Sequence, residues 1–295
     1  MYKQFENDIR AWAENEPGVQ ALVVIGSRAR EDHIADKWSD LDLILFVFDQ
    51  EGWAENDAWL AYFGEVWLSQ LRIAGSGMPE WFVIYKGGFK VDFLIAKAKN
   101  NLEKALYDSP FDVLVQRGLG ILVNKSVSNP GQPMDDEIVL RLPGENSFEE
   151  VVKSFFLSTY RAAGLLRRGD LWRARKIIDG PMRGQLVDMM AWHAQAKNDP
   201  DPDTWYEGRF MEEWADPRAL GKLPVLFAPF EITESARALG EMLSLFSWLV
   251  EETAENIHHS NPAKHLIHVV RWIELTVNEI VREEESSRVG RADCY

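Results

Sequence analysis

The chain has 295 residues, of which 47 are acidic and 32 basic, for a net charge of −15. A surface of that sign repels a phosphate backbone, which excludes nucleic acid as a natural partner and attracts polycationic small molecules. Hydrophobic residues make up 46% and aromatics 12%, with 12 tryptophans, so the chain is not disordered and has the apolar material for one or two cored domains. The one cysteine, Cys294, excludes an internal disulfide and a thiolate zinc site. The first residues, MYKQFENDIRAWAENEPG, are amphipathic rather than signal-like. No run approaches the roughly 18 apolar residues of a membrane span. A cytoplasmic protein is expected, with no membrane partner and no obligatory protein partner evident.

Along the first half the pattern is mixed. Phe5, Ile9, Trp12 and Ala13 recur at helical spacing, and Pro17-Gly18 ends that helix. ALVVIGS (21–27) reads as a buried strand closing in a glycine turn, and LDLILFVF (41–48) as a second strand. Residues 56–73 read as helical. WFVIYKGG (81–88) and FKVDFLIA (89–96) read as a hairpin across Gly87-Gly88. One or two helices follow between 100 and 118, with Ser109-Pro110 as a start signal, and 119–124 adds a last strand.

The character changes near Pro143-Gly144. Ser147 and Glu150 have capping-box spacing. Helices are expected over 148–168, 171–178, 182–197, 232–256 and 262–284, with loops and short helices in 199–230. The expected architecture is α+β. Residues 1–144 form a domain with a mixed sheet and flanking helices, 145–284 a helical domain that binds the acceptor, and 285–295 a loose tail. A ligand is expected in a cleft between the two domains.

Chemistry concentrates in the first domain. Gly26-Ser27 ends a strand and is followed by Arg28 and Arg30. Such a turn offers backbone N–H groups and a hydroxyl to phosphate oxygens. Asp40 and Asp42 open the next strand two residues apart, so their carboxylates share a face. Adjacent carboxylates repel unless a cation lies between them. Asp42 stands inside the strand, where aspartate is disfavoured. Asp92 has the same awkward placement on a later strand, on the face shared by Lys90, Leu94 and Ala96. If the two strands are neighbours, three hard oxygen ligands meet at one end of the sheet, a set that suits Mg²⁺.

Gly26-Ser27, then 12 residues, then Asp40-Leu41-Asp42, then Asp92 on a later strand resembles the DNA polymerase β-like nucleotidyltransferase superfamily. A narrower resemblance, to the aminoglycoside 6-adenylyltransferases, covers most of the chain. It rests on VVIGSRARED and SDLDLILFV, then Phe155-Phe156, Tyr160, Gly164-Leu165, Arg167 and LVDMMAWHA (186–194) with Trp192. The resemblance implies ATP and Mg²⁺ as cofactors. Asp40, Asp42 and Asp92 would be metal-binding and catalytic, and Gly26, Ser27, Arg28 and Arg167 would contact the nucleotide. It also implies an aminoglycoside acceptor receiving AMP on a hydroxyl, with pyrophosphate released. The chain departs from the family at Ala163 and His193, where lysines are usual; Arg161, Arg167 and Arg168 are nearby replacements.

A cationic acceptor needs acids, and Asp170, Asp179, Asp188, Glu207, Glu212 and Glu213 are the candidates in the helical half. Trp192, Trp205, Tyr206 and Trp214 are candidate pocket walls, although large aromatics of this kind are more often core. His265 and His268, at i and i+3, have no third partner with metal-ligand spacing. The alternatives to aminoglycoside adenylylation are nucleotidyl transfer to another small molecule or a protein, and nucleotide binding without catalysis.

Overall fold

A computed structural model describes residues 2–30, 32–99, 101–107, 111, 118–126, 142–198, 202–204 and 207–292. Ser109, Pro110, Trp205, Tyr206 and Cys294 lie outside these. The chain divides into two compact units, Met1–Val139 and Leu140–Tyr295.

The first unit is built on a six-stranded sheet. Helix α1 (Tyr2–Asn15) buries Phe5, Ile9 and Ala13. Strand β1 (Val19–Ile25) runs into a tight turn at Gly26–Arg28. Then come β2 (Leu41–Val47) and α2 (Gln50–Glu55), capped by Asp49 accepting from the Gly52 N–H. The rest of the sheet is β3 (Val66–Ile73), β4 (Pro79–Tyr85), β5 (Phe89–Lys97) and, after α3 (Leu102–Tyr107), β6 (Leu119–Asn124). The strand order is β3-β4-β5-β2-β1-β6. All pairings are antiparallel except β2 with β5. The hairpin expected across Gly87-Gly88 is present, with Tyr85 opposite Phe89.

Both faces of this sheet are covered, which is why β1, β2 and β5 read as continuous apolar runs rather than alternating ones. Leu41, Leu43, Leu45, Val91, Phe93 and Ile95 pack with Phe5, Ile9 and Ala13 on one face. Ile44, Phe46, Leu94 and Ala96 pack with Leu102, Ala105, Leu106 and Phe111 on the other. Each such Val, Leu, Ile or Phe side chain contributes about 1.5–3 kcal/mol by leaving water. Asp42 and Asp92 continue the second face by strand alternation.

Residues 56–73 are not one helix. A 3-10 segment covers Ala58–Phe63, and β3 pairs with β4 from Val66 to Ile73. β3 is an edge strand with Trp67, Leu68, Leu71 and Ile73 exposed. No buried face imposes a period of two on its sequence, and its apolar spacing mimics a helix.

The second unit is helical: α4 (Glu145–Arg167), α5 (Leu171–Ile177), α6 (Arg183–Lys197), α7 (Met211–Trp214), α8 (Pro217–Lys222), α9 (Ile232–Asn256) and α10 (Ile267–Ala292). One core joins α4, α6 and α9, with Phe155 stacked on Phe246 at 3.6 Å between ring centroids. α4 begins at Glu145 after Gly144, so Ser147 lies inside the helix and the expected capping box is not used. A π-helical turn at Ile178–Met182, holding Pro181, links α5 to α6. The last helix runs to Ala292, past the point where a loose tail was expected. Arg167 and Thr233 bond Glu283 and Glu284 and tie down its later turns.

Candidate active site

The parallel pairing of β2 with β5 places Asp42 directly opposite Asp92. Asp40 lies two residues before Asp42, just ahead of the strand. Carboxylate oxygens of Asp40, Asp42 and Asp92 all lie within 4.8 Å of one another, the one such metal-capable group among the described residues. Asp40 and Asp42 are half-buried and Asp92 is buried.

Like charges at that spacing repel by on the order of 3 kcal/mol at an effective dielectric near 20. The pKa values register the conflict. Asp42 is pushed up to about 7 by burial first and then by the charges of Asp40 and Asp92. Asp92 is raised to about 6 by burial, against the pull of Lys90. Asp92 Oδ1 is buried and accepts no hydrogen bond among the described residues. A buried carboxylate oxygen without a partner is costly, and three convergent hard oxygens are what a divalent cation of the Mg²⁺ type binds. The residues present fit such an ion.

Lys90 is the site residue that sequence reasoning left in the background. Its ammonium donates to Asp40 Oδ2 at 2.9 Å and to Asp92 Oδ2 at 2.7 Å. Burial works to lower the Lys90 pKa, but the bonds to the two aspartates outweigh it and the pKa is raised. Its spacing from Asp92, i to i+2 on one strand face, was the available signal. On β4, Glu80 adds negative charge that raises both Asp42 and Asp92.

The turn after β1 abuts this group. Gly26 has φ +70, and a Cβ there would lie 2.5 Å from Asp42 Oδ2. Ser27 is buried, and its Oγ makes no hydrogen bond among the described residues. Arg28 is engaged by the backbone of the loop before β2. Its guanidinium donates to the carbonyls of Asp36, Ser39 and Asp40 and lies over the Tyr2 ring at 3.6 Å. It therefore holds the loop that delivers Asp40.

Arg167 belongs to the other unit, where it makes a bidentate ion pair with Glu283 at 2.7 Å. The acids expected to meet an acceptor are dispersed. Asp170 caps α5 and pairs with Arg173. Asp179 is shared by Arg175 and Arg183, and Asp188 is exposed on α6. Trp214 is core, its indole N–H donating to the Arg209 carbonyl, and Trp192 packs on Phe148. His193 is buried and bonded to Glu252 at 2.9 Å.

A mixed sheet with a Gly-Ser turn after one strand, two carboxylates on a parallel strand pair and a third just ahead of it, followed by a helical region, fits the nucleotidyltransferase class of enzyme. The profile of the streptomycin adenylyltransferase family matches residues 1–275, and the chain belongs to that family. Curated relatives include aminoglycoside 6-adenylyltransferases of Staphylococcus aureus, 25% identical over 91% of this chain and 97% of the relative, and of Bacillus subtilis (strain 168), 23% identical over 85% and 89%. A crystal structure of an aminoglycoside 6-adenyltransferase from Bacillus subtilis aligns over 94% of this chain and 98% of its own, at 17% identity and a TM-score of 0.43.

Proposed function

We propose that this enzyme transfers AMP from ATP to a hydroxyl of a cationic aminoglycoside such as streptomycin, with Mg²⁺ as cofactor and pyrophosphate as the second product. The observation that carries the reading is the in-register pair Asp42 and Asp92 with Asp40 alongside, in a chain of this family. Asp40, Asp42 and Asp92 hold the ion. Bound Mg²⁺ supplies charge neutralisation of phosphate oxygens and a template for in-line displacement.

The chain's own groups do the rest. The Gly26 and Ser27 N–H groups and the Ser27 hydroxyl take phosphate oxygens; that hydroxyl's lack of a partner among the described residues supports the assignment. Arg28 keeps the Asp36–Asp40 loop closed, so Asp40 stays aimed at the site. The acceptor's proton passes to a carboxylate, and Asp92 is placed at the reacting end of the sheet. Arg167 contributes to nucleotide binding only by exchanging Glu283 for a phosphate. The net charge of −15 favours a cationic acceptor over nucleic acid. No described helix is long and apolar enough to cross a membrane.

The test is to incubate the protein with ATP, Mg²⁺ and a panel of aminoglycosides, other small hydroxyl compounds and proteins, and to weigh the products. An AMP adduct on streptomycin supports the reading. An adduct only on a protein or an unrelated metabolite replaces the acceptor, and ATP binding without any turnover replaces the reaction.

A further inference from the structure

Lys90 does something the triad alone does not. Its ammonium bridges Asp40 Oδ2 and Asp92 Oδ2, so two of the three metal-capable carboxylates are already claimed by a cation. The side chain comes from the same strand as Asp92, is 39% exposed and has the Phe82 ring 4.8 Å from its nitrogen. Asp42, the third carboxylate, receives no hydrogen bond from it.

We propose that Lys90 is a positioning residue, a resident counter-cation that a divalent ion must exchange with, and that it thereby favours a metal–nucleotide complex over the free metal. The proposal rests on the metal-dependent reading above. A divalent ion and an ammonium that share carboxylate oxygens repel strongly at these separations. A hard cation also competes directly for the Oδ2 atoms. Lys90 therefore gives up at least one of its two ion pairs when the metal enters. Its flexible four-carbon stem allows this, and an ammonium that leaves a carboxylate for water loses charge pairing that a new anionic acceptor would restore. Free metal brings none. A nucleotide's phosphates bring several, so the ammonium passes from carboxylate to phosphate and its interactions are kept. The same geometry permits the opposite behaviour, in which Lys90 stays on Oδ2, orients the carboxylates and strengthens metal binding. The two differ in the sign of one measurement.

Mn²⁺ binding is read by electron paramagnetic resonance, with and without ATP, on the whole chain and on K90M, K90R and D42N. The expected result is that K90M binds nucleotide-free Mn²⁺ about tenfold or more tightly than the unaltered chain. ATP should raise Mn²⁺ affinity in the unaltered chain more than in K90M, and K90R should behave as the unaltered chain does. If K90M misfolds by circular dichroism, K90Q takes its place with the same readout. An Mn²⁺ affinity in K90M or K90Q that is equal to or weaker than that of the unaltered chain overturns the proposal. If D42N binds Mn²⁺ and Mn²⁺–ATP as well as the unaltered chain, the metal reading fails and the Lys90 proposal falls with it. If D42N loses metal while K90M changes nothing, Lys90 alone is misassigned.

Discussion

Gly26 and Asp42 are in contact across the first two strands: the space a Cβ would need on Gly26 is filled by Asp42 Oδ2, at 2.5 Å. The φ of +70 at Gly26 is a left-handed conformation that glycine adopts at little cost. Replacing it with alanine strains the backbone and pushes on the acid at once. G26A should lose about 1–3 kcal/mol of stability and at least roughly tenfold in the rate of AMP transfer. Thermal unfolding together with steady-state kinetics checks both. An alanine variant with full rate would show that the turn and Asp42 are not coupled.

Asp42 also sets a pH dependence. In the folded chain burial and its neighbours raise it from the ordinary aspartate value of 3.8 to about 7, and Asp92 to about 6. The folded state holds these protons more tightly than the unfolded state does. The resulting stability is fully present below about pH 4 and is lost as pH rises to about 7. Metal-free protein should therefore lose melting temperature over that interval, with D42N showing a flatter profile and, by roughly 1–2 kcal/mol, greater stability at pH 8. Added Mg²⁺ should stabilise the unaltered chain at pH 8 and leave D42N unmoved. Turnover should fall in D42N by about two orders of magnitude or more. Scanning calorimetry across pH with and without Mg²⁺ reads the stability effects, and product formation reads the last.

Arg28 acts through the loop it fastens. Three backbone carbonyls, those of Asp36, Ser39 and Asp40, accept from one guanidinium. A lysine lacks the planar fork that reaches several acceptors in fixed directions. Both R28M and R28K should lower kcat by about tenfold to a hundredfold through displacement of Asp40, with a stability loss of about 1–3 kcal/mol. Rescue of kcat by R28K would contradict the fork argument. A rise in KM for ATP with unchanged kcat would instead mark Arg28 as a direct nucleotide contact.

In the helical unit, the stacked pair Phe155 and Phe246 anchors the core, and both rings are buried. F246A should cost about 3–5 kcal/mol, while F246L, nearer in volume, should cost less. Urea unfolding followed by far-ultraviolet circular dichroism measures the difference. Equal costs for the two would mean that ring volume is not what the site requires.

Much of the first unit is legible in the residues themselves. β1, β2 and β5 are apolar runs because both sheet faces are covered, and Asp42 and Asp92 stand out within them for the same reason. β3 escapes such reading, since an edge strand exposing Trp67, Leu68, Leu71 and Ile73 carries no burial signal. Arg28 reads in sequence as a phosphate contact because it follows a Gly-Ser turn, and its role in holding the Asp36–Asp40 loop is not legible there. Its acceptors, up to 12 residues away, are set by the loop's return. Lys90 was visible on the face of Asp92, but the bond to Asp40, 50 residues distant, was not.

By itself, the sequence determined which side chains are chemically out of place: carboxylates inside apolar strands and a glycine before a serine at a strand end. Burial makes these costly, so their identities carry information without any coordinates. Only the tertiary structure decided that β5 lies beside β2, in parallel and with Asp92 level with Asp42. Strand order and register arise from long-range pairing between segments that are each apolar enough to fit several neighbours. It also decided which cation meets the acids in the folded chain, because Lys90 reaches Asp40 only across that strand pair.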